Sequence, residues 1–412
     1  MFFVDLILIN IYYVRNNTVN YQLIILKMLF DAVKLSQDLI KFPSISGSKS
    51  DIISNFADLV GKIGFKSDIL TFSGDGGSYE VENVHCVYNP NNSKNILYFA
   101  GHLDVVPVGD VKSWKHDPFL ANIDNDILYG RGAVDMKCAI AAFVAAISEF
   151  LQENQNCKFG IGLLITGDEE AESINGTKKM LKWMSENNKI ISNCIVGEPT
   201  SLNEIGDIVK IGRRGSVSFS LRVNGKQGHV AYPENAINPI SMINDIVKML
   251  NDHNLDEGTD FFDPSNLEFT SIFAPDVSGN VIPDFAEAKF NIRFNDIHKA
   301  QDLIDLADYV CSKTVIDQNY TLQSRVSGDA FLTKPGFLSD LITKSIVEVT
   351  GIKSKLSTSG GTSDARFIKD FCPVAEIGAK NKTAHQIDEN IAVKDIIDLK
   401  NIYLKILENY DS

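Results

Sequence analysis

The sequence is poor in the features that mark secreted and nucleic-acid-binding proteins. Its six cysteines include no CxxC pair, which in a chain of 412 residues favours free thiols in a reducing compartment over a disulfide framework. Basic residues are fewer than acidic ones: the chain has 39 Lys and Arg residues and 53 Asp and Glu residues, which gives a net charge of −14. This balance argues against nucleic acid and anionic membrane surfaces as main partners. We therefore expect a cytoplasmic protein that acts on a small molecule.

Long hydrophobic runs are also missing after residue 27, where no segment approaches transmembrane length. Residues 1–27 begin with an apolar run that is too short to span a bilayer comfortably. Asp5 stands where a secretory signal needs positive charge. We interpret 1–27 as an atypical N-terminal extension, explained by a misassigned start before Met28, with a membrane anchor as the alternative.

A length of 412 residues predicts two domains, because it exceeds what one ordinary core accommodates. Apolar spacing predicts an α/β protein, and the sequence contains no internal repeats. Short apolar runs predict buried strands at 96–100, 160–165 and 195–196, and half-buried strands at 217–223 and 288–294. Helical spacing covers 31–40, 51–63, 134–150, 239–251 and 301–314. The predicted architecture is a mixed-sheet catalytic domain with helices on both faces, formed by 28–214 and 329–412. A smaller α+β domain is inserted at 215–328.

Acidic residues and a histidine follow three of the predicted strands. His102 comes just after the first strand, Glu169 and Glu170 follow the second, and Glu198 follows the third. In α/β sheets the ligand crevice lies at the carboxyl ends of the strands. We therefore expect these side chains to converge.

Together with Asp135 and His385, these side chains form a ligand set for divalent metal ions. Two histidines and several carboxylates suit Zn²⁺, Co²⁺ or Mn²⁺ without any thiolate. An aspartate can bridge two ions about 3.5–4 Å apart and leaves room for a shared hydroxide. The predicted ligand sets are His102, Asp135 and Glu198 for one ion, and Asp135, Glu170 and His385 for the other.

Two further acids are predicted to support this chemistry. Glu169 is the candidate general base, because a carboxylate beside metal-activated water commonly takes its proton and the neighbouring Glu170 is assigned to the metal. Asp104 is expected to accept the free ring N–H of His102 and fix its tautomer. Taken alone, each residue has an ordinary structural explanation. The pair Glu169 and Glu170, for example, fits a solvated turn. The prediction therefore depends on the whole set.

Four segments resemble the metal motifs of the co-catalytic zinc aminoacylase, carboxypeptidase and desuccinylase superfamily. They are GHLDVVP at 101–107, GRGAVDMK at 130–137, TGDEE at 166–170 and VGEPT at 196–200. The likeness extends from about Met28 to the C-terminus and includes GHVAYP at 228–233. GRRGS at 212–216 and SGGTSD at 359–364 favour the desuccinylases over their sister enzymes. Residues 1–27 fall outside the family pattern.

The resemblance implies hydrolysis of the succinyl amide of N-succinyl-LL-2,6-diaminopimelate by a metal-bridged hydroxide with Glu169 as base. The products would be succinate and LL-2,6-diaminopimelate, a precursor of lysine and peptidoglycan. The resemblance also implies two Zn²⁺ per subunit, with Co²⁺ or Mn²⁺ as substitutes. It further implies a homodimer through the inserted domain, which would close over the substrate and supply His229 of the other subunit as an oxyanion donor.

Recognition of the substrate's carboxylates requires cationic and amide donors. Arg213 and Arg293 are the candidates from chemistry, because a guanidinium pairs bidentately with a carboxylate. Arg293 has a plainer explanation as a strand-edge residue. The family pattern also places four residues near the substrate: Asn280, Gly361, Thr362 and Ser363.

Three alternative functions share the predicted metal site. The first is acetylornithine deacetylase or another aminoacylase of the same superfamily. The second is a metallo-exopeptidase that releases amino acids from dipeptides. The third is a catalytically inactive, metal-dependent binding protein, against which the presence of Glu169 argues because binding alone needs no base.

Overall fold

Helices and strands alternate along most of the chain, whose computed structural model describes residues 30–411. Up to residue 207 the elements are α1 (Ala32–Ile40), α2 (Ile52–Gly61), β1 (Lys66–Phe72), β2 (Val81–Tyr88), β3 (Ile96–His102), β4 (Ile123–Asp124), β5 (Ile127–Tyr129), α3 (Cys138–Glu153), β6 (Gly160–Thr166), α4 (Thr177–Glu186) and β7 (Asn193–Val196). From residue 208 they are β8 (Ile208–Lys210), β9 (Gly212–Arg213), β10 (Gly215–Asn224), β11 (Gly228–His229), α5 (Pro239–Asn251), β12 (Asn266–Phe273), β13 (Val281–Ile282), β14 (Phe285–Phe294), α6 (Ala300–Thr314), β15 (Tyr320–Gly328) and β16 (Phe331–Leu332). The last are α7 (Phe337–Thr350), β17 (Lys355–Ser357), α8 (Ala365–Ile368), β18 (Val374–Glu376), β19 (Asn390–Ala392) and α9 (Val393–Asp411).

The chain separates into two units. The first unit contains the described chain up to Asp207, the segment Asp340–Ser354 and the segment from Ile377 onward. The second unit contains Ile208–Ser339 and Lys355–Glu376. The assignment of 215–328 as a dimerisation and lid domain remains a prediction.

The first unit contains strands in the order β1-β2-β6-β3-β7. β3 runs parallel to both β6 and β7, whereas β1 and β2 are antiparallel to their neighbours. Every residue of β3 and β6 is buried, as expected for strands covered on both faces. Phe99 of β3 stacks on Phe143 of α3 with ring centroids 4.3 Å apart, and Tyr403 of α9 packs edge-on against both rings. The predicted α/β class with a mixed sheet is confirmed.

Capping residues explain where two predicted helices begin. Asp31 caps α1 by accepting the backbone N–H of Lys34, and Asn238 caps α5 by accepting that of Ile240. α3 begins at Cys138, later than the start at 134 that apolar spacing predicts. The reason is a turn at Ala133–Lys137, inside which Asp135 has a non-helical backbone with φ −124° and ψ 93°.

The second unit is built on a four-stranded antiparallel sheet in the order β12-β14-β10-β15. Alternate residues of β10 and β14 are buried, and Phe219 stacks on Phe290 with ring centroids 4.5 Å apart. These residues form one core with the apolar sides of α5 and α6. The predictions of β10, β14 and both helices are confirmed, whereas apolar spacing missed β12 and β15.

The predictions for residues 1–27 lie outside the described part of the chain. Among residues 30–411, none of the helices has both the length and the apolar composition that crossing a membrane requires.

Candidate metal centre

Three strand ends in the first unit carry three of the five predicted metal ligands. His102 is the last residue of β3 and pairs in register with Thr166, the last residue of β6. Glu170 lies four residues beyond β6, and Glu198 lies two residues beyond β7. Because β6, β3 and β7 are parallel neighbours, their carboxyl ends lie at one edge of the sheet. The expected convergence of these side chains is therefore found.

Two groups of donor atoms meet at this edge and share one carboxylate. In the first, the Nε2 atom of His102 lies 3.1 Å from Oδ1 of Asp135 and 3.9 Å from Oε1 of Glu198. In the second, the Nε2 atom of His385 lies 3.2 Å from Oδ2 of Asp135 and 3.0 Å from Oε1 of Glu170. Within each group the donor atoms all lie within 4.8 Å of one another. The two oxygens of Asp135 thus face different groups, as a bridging carboxylate requires.

The orientation of His102 differs in one detail from the sequence-based expectation. Its Nδ1 atom lies 2.9 Å from the backbone oxygen of Asp104, so the carbonyl accepts the ring N–H and leaves Nε2 for the ligand cluster. The Asp104 carboxylate, which was expected to do this, lies 3.6 Å from Nδ1. It instead accepts the backbone N–H groups of Glu169 and Glu170, at 3.1 Å each. Asp104 therefore supports both the histidine and the turn that carries the candidate base.

The charge balance of the cluster fits divalent cations. Burial of His102 opposes a positive charge on its ring and is the largest single effect. The hydrogen bond to Asp135 and the negative charges of Asp135, Asp104 and Glu170 together outweigh it and raise the His102 pKa well above its ordinary value. Hydrogen bonds to Asp135 and Glu170 raise the pKa of His385 to about 10. The rings of His102 and His385 thus tend to hold protons because they face the carboxylates of Asp135, Glu170 and Glu198. An oxygen- and nitrogen-donor set with this excess of negative charge suits Zn²⁺ and similar ions.

Sequence reasoning missed one buried carboxylate beside this cluster. Glu389 is fully buried and accepts the backbone N–H groups of Gly132, Val134 and Asp135. It also forms an ion pair with Arg131 at 2.7 Å. Glu389 lies only four residues after His385, but nothing in its local sequence distinguishes it from an exposed acid.

His229 and Asn280 come together on a short ribbon of the second unit. β11 pairs with β13 so that His229 lies opposite Val281, and the backbone oxygen of Asn280 accepts the N–H of Val230 at 3.1 Å. The Nδ1 atom of the exposed His229 accepts the N–H of Ala231 at 3.0 Å. In a neutral ring this places the proton on Nε2, which is the form that can donate a hydrogen bond.

Arg213 already has a carboxylate partner within the second unit. Its Nε atom lies 3.0 Å from each oxygen of the buried Glu376, which sequence reasoning also missed. Ser363 donates to Glu376 at 2.7 Å, and Arg213 donates to the backbone oxygen of Gly361 at 2.9 Å. Thr362 lies half-buried between these two residues. Arg213 therefore holds the SGGTSD segment in place, and direct binding of substrate by Arg213 remains a prediction.

Arg293 lies on β14 opposite Ser216 and is half-buried. Burial, followed by the nearby charge of Arg214, lowers the pKa of Arg293. Arg214 donates to the side-chain oxygen of Asn266 at 2.8 Å. Carboxylate binding by Arg293 and the strand-edge explanation both remain predictions.

Comparison with known proteins identifies the family of this chain. The family model described as peptidase family M20/M25/M40 matches residues 98–409. The chain belongs to this family. A protein of Ehrlichia chaffeensis named succinyl-diaminopimelate desuccinylase is 47% identical over 386 residues, which cover 93% of this chain and 99% of the relative. A protein of Parvibaculum lavamentivorans with the same name is 44% identical over 383 residues, which cover 92% and 96%.

Solved structures of the M20 family share the fold. The M20 family metallo-carboxypeptidase Sso-CP2 from Sulfolobus solfataricus matches with a TM-score of 0.77 at 20% identity, over 92% of this chain and 99% of that protein. The Bacillus subtilis YXEP protein, described as a dinuclear metal binding peptidase from the M20 family, matches with a TM-score of 0.62 at 13% identity, over 91% and 96%. At these identities the likeness concerns the fold alone.

Proposed function

We propose that this member of the M20 family hydrolyses N-succinyl-LL-2,6-diaminopimelate to succinate and LL-2,6-diaminopimelate, as a two-zinc enzyme. The observation that carries the proposal is the pair of donor groups that share Asp135, with Glu169 next to the ligand Glu170. The name shared by relatives at 44–47% identity supports the choice of substrate.

The ligand chemistry names the residues that would hold the two ions. His102, Asp135 and Glu198 form one set, and Asp135, Glu170 and His385 form the other. When bound, the two ions supply Lewis acidity that polarises the amide carbonyl and lowers the pKa of water. Co²⁺ and Mn²⁺ would also accept these donors. Zn²⁺ is proposed because the resemblance to the co-catalytic zinc superfamily implies it.

Glu169 is proposed to move the proton during hydrolysis. Its backbone N–H donates to Asp104, and its backbone oxygen accepts the Ser173 hydroxyl at 2.7 Å, so the turn is fixed on both sides. Its carboxylate takes a proton from the attacking water and passes it to the leaving amine, which therefore departs as a neutral group. A fixed turn keeps the base at a constant distance from the reacting atoms.

Residues of the second unit are proposed to recognise the substrate. Arg293 binds a substrate carboxylate, helped by the neighbouring charge of Arg214, whereas Arg213 positions the loop that contains Thr362. The Nε2–H of His229 is proposed to donate to the developing oxyanion, with Asn280 beside it on the same ribbon.

A side-by-side substrate assay tests the proposed reaction. We expect release of primary amine from N-succinyl-LL-2,6-diaminopimelate to exceed release from N-acetylornithine by at least about 100-fold in kcat/KM, because a site built to pair the substrate's polar groups penalises an analogue that leaves them unpaired. Activity should disappear after chelation and return when Zn²⁺ is added.

The other outcomes of this assay are equally informative. Preference for N-acetylornithine would keep the metal chemistry but contradict the proposed substrate. Release of amino acids from dipeptides would indicate an exopeptidase. Protein that binds both ions but turns over none of these substrates would support the binding-protein alternative.

The second unit is also proposed to form a homodimer and to close over the substrate. β12 is an edge strand of its sheet, so one side of its backbone has no partner strand within that sheet. Ile272 and Phe273 on this strand remain 60% and 51% exposed. An exposed edge with apolar side chains suits pairing with the same edge of a second copy.

Sedimentation experiments test this dimer. We expect the protein to sediment with about twice the 45.5 kDa mass of one chain, and Ile272→Lys to shift the population towards monomer, because it places a charge at the proposed contact. Ile297→Lys is the matched control, since Ile297 is similarly exposed at 56% but lies in the loop before α6. A monomeric wild-type protein, or equal effects of both substitutions, would contradict a dimer through β12.

The cytoplasm is the proposed location. All six cysteines are free and buried, which suits a reducing compartment.

A further inference from the structure

The carboxylate of Glu389 is saturated by four donors from one short segment. Oε1 accepts the backbone N–H groups of Val134 at 2.8 Å and Asp135 at 3.2 Å. Oε2 accepts the N–H of Gly132 at 3.1 Å and the Nη1 group of Arg131 at 2.7 Å. Each oxygen therefore accepts hydrogen bonds from two donors. One of the four donors is the backbone N–H of Asp135, the ligand that both donor groups share.

The same contacts connect this segment to the loop that carries His385. The Nη1 group of Arg131 also donates to the backbone oxygen of Gln386 at 3.2 Å, one residue beyond His385. The backbone N–H of Gly130 donates to the backbone oxygen of Glu389 at 2.9 Å. The guanidinium of Arg131 lies 5.1 Å from the ring centre of Trp114, which limits its movement. Two segments about 250 positions apart in the chain thus meet through one ion pair.

We propose that Glu389 is a positioning residue for the metal centre, which sets the separation of Asp135 and His385 and thereby the affinity for both ions. This inference rests on the proposed function. A buried ion pair is weak evidence for stability, because removing two charges from water is costly. A carboxylate that holds the backbone of the shared ligand has a direct effect on ligand geometry, as supporting residues of metal sites do.

Glu389→Gln is the sharpest test, because glutamine keeps the shape of the side chain. Whichever way the amide is turned, its NH₂ group must face two N–H donors, so at least two of the four hydrogen bonds are lost. We expect the affinity for Zn²⁺, measured by chelator competition, to fall by about 10–100-fold. We also expect the visible absorption bands of the Co²⁺-substituted protein to shift, because these report ligand geometry directly.

Asp256→Asn is the matched control. Asp256 is a nearly buried carboxylate of the second unit that accepts the backbone N–H groups of Gly258 and Ser265 and pairs with His298. Its replacement should lower the melting temperature without changing Zn²⁺ affinity or the Co²⁺ spectrum. The comparison separates a loss of general stability from a loss of ligand positioning.

The outcomes distinguish this inference from the proposed function. Wild-type affinity and an unchanged Co²⁺ spectrum in Glu389→Gln would overturn the positioning role even if the wild-type protein is an active two-metal enzyme. Failure of the wild-type protein to bind two ions would overturn the proposed function instead. If Glu389→Gln does not fold, Arg131→Lys provides the test. Lysine keeps the charge but has no second nitrogen to replace the Nη2 group, which donates to the backbone oxygen of His385 at 3.5 Å. Wild-type affinity in Arg131→Lys would then overturn the inference.

Discussion

Glu169→Gln is expected to lower kcat for the succinyl substrate by roughly two to four orders of magnitude while both metal ions remain bound. Glutamine has the same shape as glutamate but cannot accept the proton that the attacking water releases. Glu169 belongs to neither group of donor atoms at the strand ends, so its replacement leaves each ligand set intact. Steady-state kinetics on N-succinyl-LL-2,6-diaminopimelate, combined with metal analysis of the same preparation, measure both effects.

Glu172→Gln provides the control on the same turn. The carboxylate of Glu172 accepts the backbone N–H of Ser78 at 2.8 Å and its hydroxyl at 2.5 Å, a contact with no proposed role in the reaction. This variant should retain nearly full activity. Full activity in Glu169→Gln would remove Glu169 from the chemistry, and loss of metal along with activity would assign it to ion binding.

Substitution of Asp135 should have a larger effect on metal content than substitution of any other ligand. Because its two oxygens face different donor groups, Asp135→Ala is expected to lose both ions. His385→Ala and Glu198→Ala should each lose only one, since each residue belongs to a single group. We expect all three variants to lose more than about 100-fold in kcat/KM, beyond the range that supporting residues usually affect.

Metal stoichiometry, measured by elemental analysis after gel filtration, checks this pattern. His298→Ala is the control, because His298 also contacts a carboxylate, Asp256 at 3.1 Å, but belongs to neither donor group. It should retain two ions. Retention of one ion in Asp135→Ala would show that this aspartate does not bridge, and would contradict the shared-ligand arrangement.

Most of the candidate metal centre could be predicted because its proposed ligands occupy recognisable local positions. His102, Glu170 and Glu198 lie at or just beyond the ends of strands, and strands can be recognised from short apolar runs. Parallel strands then bring these ends to one edge. Asp135 and His385 have no such strand, and their assignment depended on the set of residue types and on the family resemblance.

The spacing of apolar residues predicted the secondary structure less well around Asp135, where the backbone departs from a helix. The apolar spacing predicts helix from residue 134, yet the turn at Ala133–Lys137 delays α3 so that Asp135 can face both donor groups. The edge strand β12 and its counterpart β15 were missed because their alternating residues are largely exposed. A strand of this kind lacks the buried face that produces a clear pattern.

Local sequence was therefore sufficient for the class of fold and for the main strands and helices, because these depend on residues that are close together in the chain. The partners of charged groups depended on long-range contacts. Arg213 is separated from Glu376 by 163 positions, and Arg131 from Glu389 by 258. No periodic pattern encodes such pairs, because burial of an acid beside a particular arginine arises only when distant segments pack together.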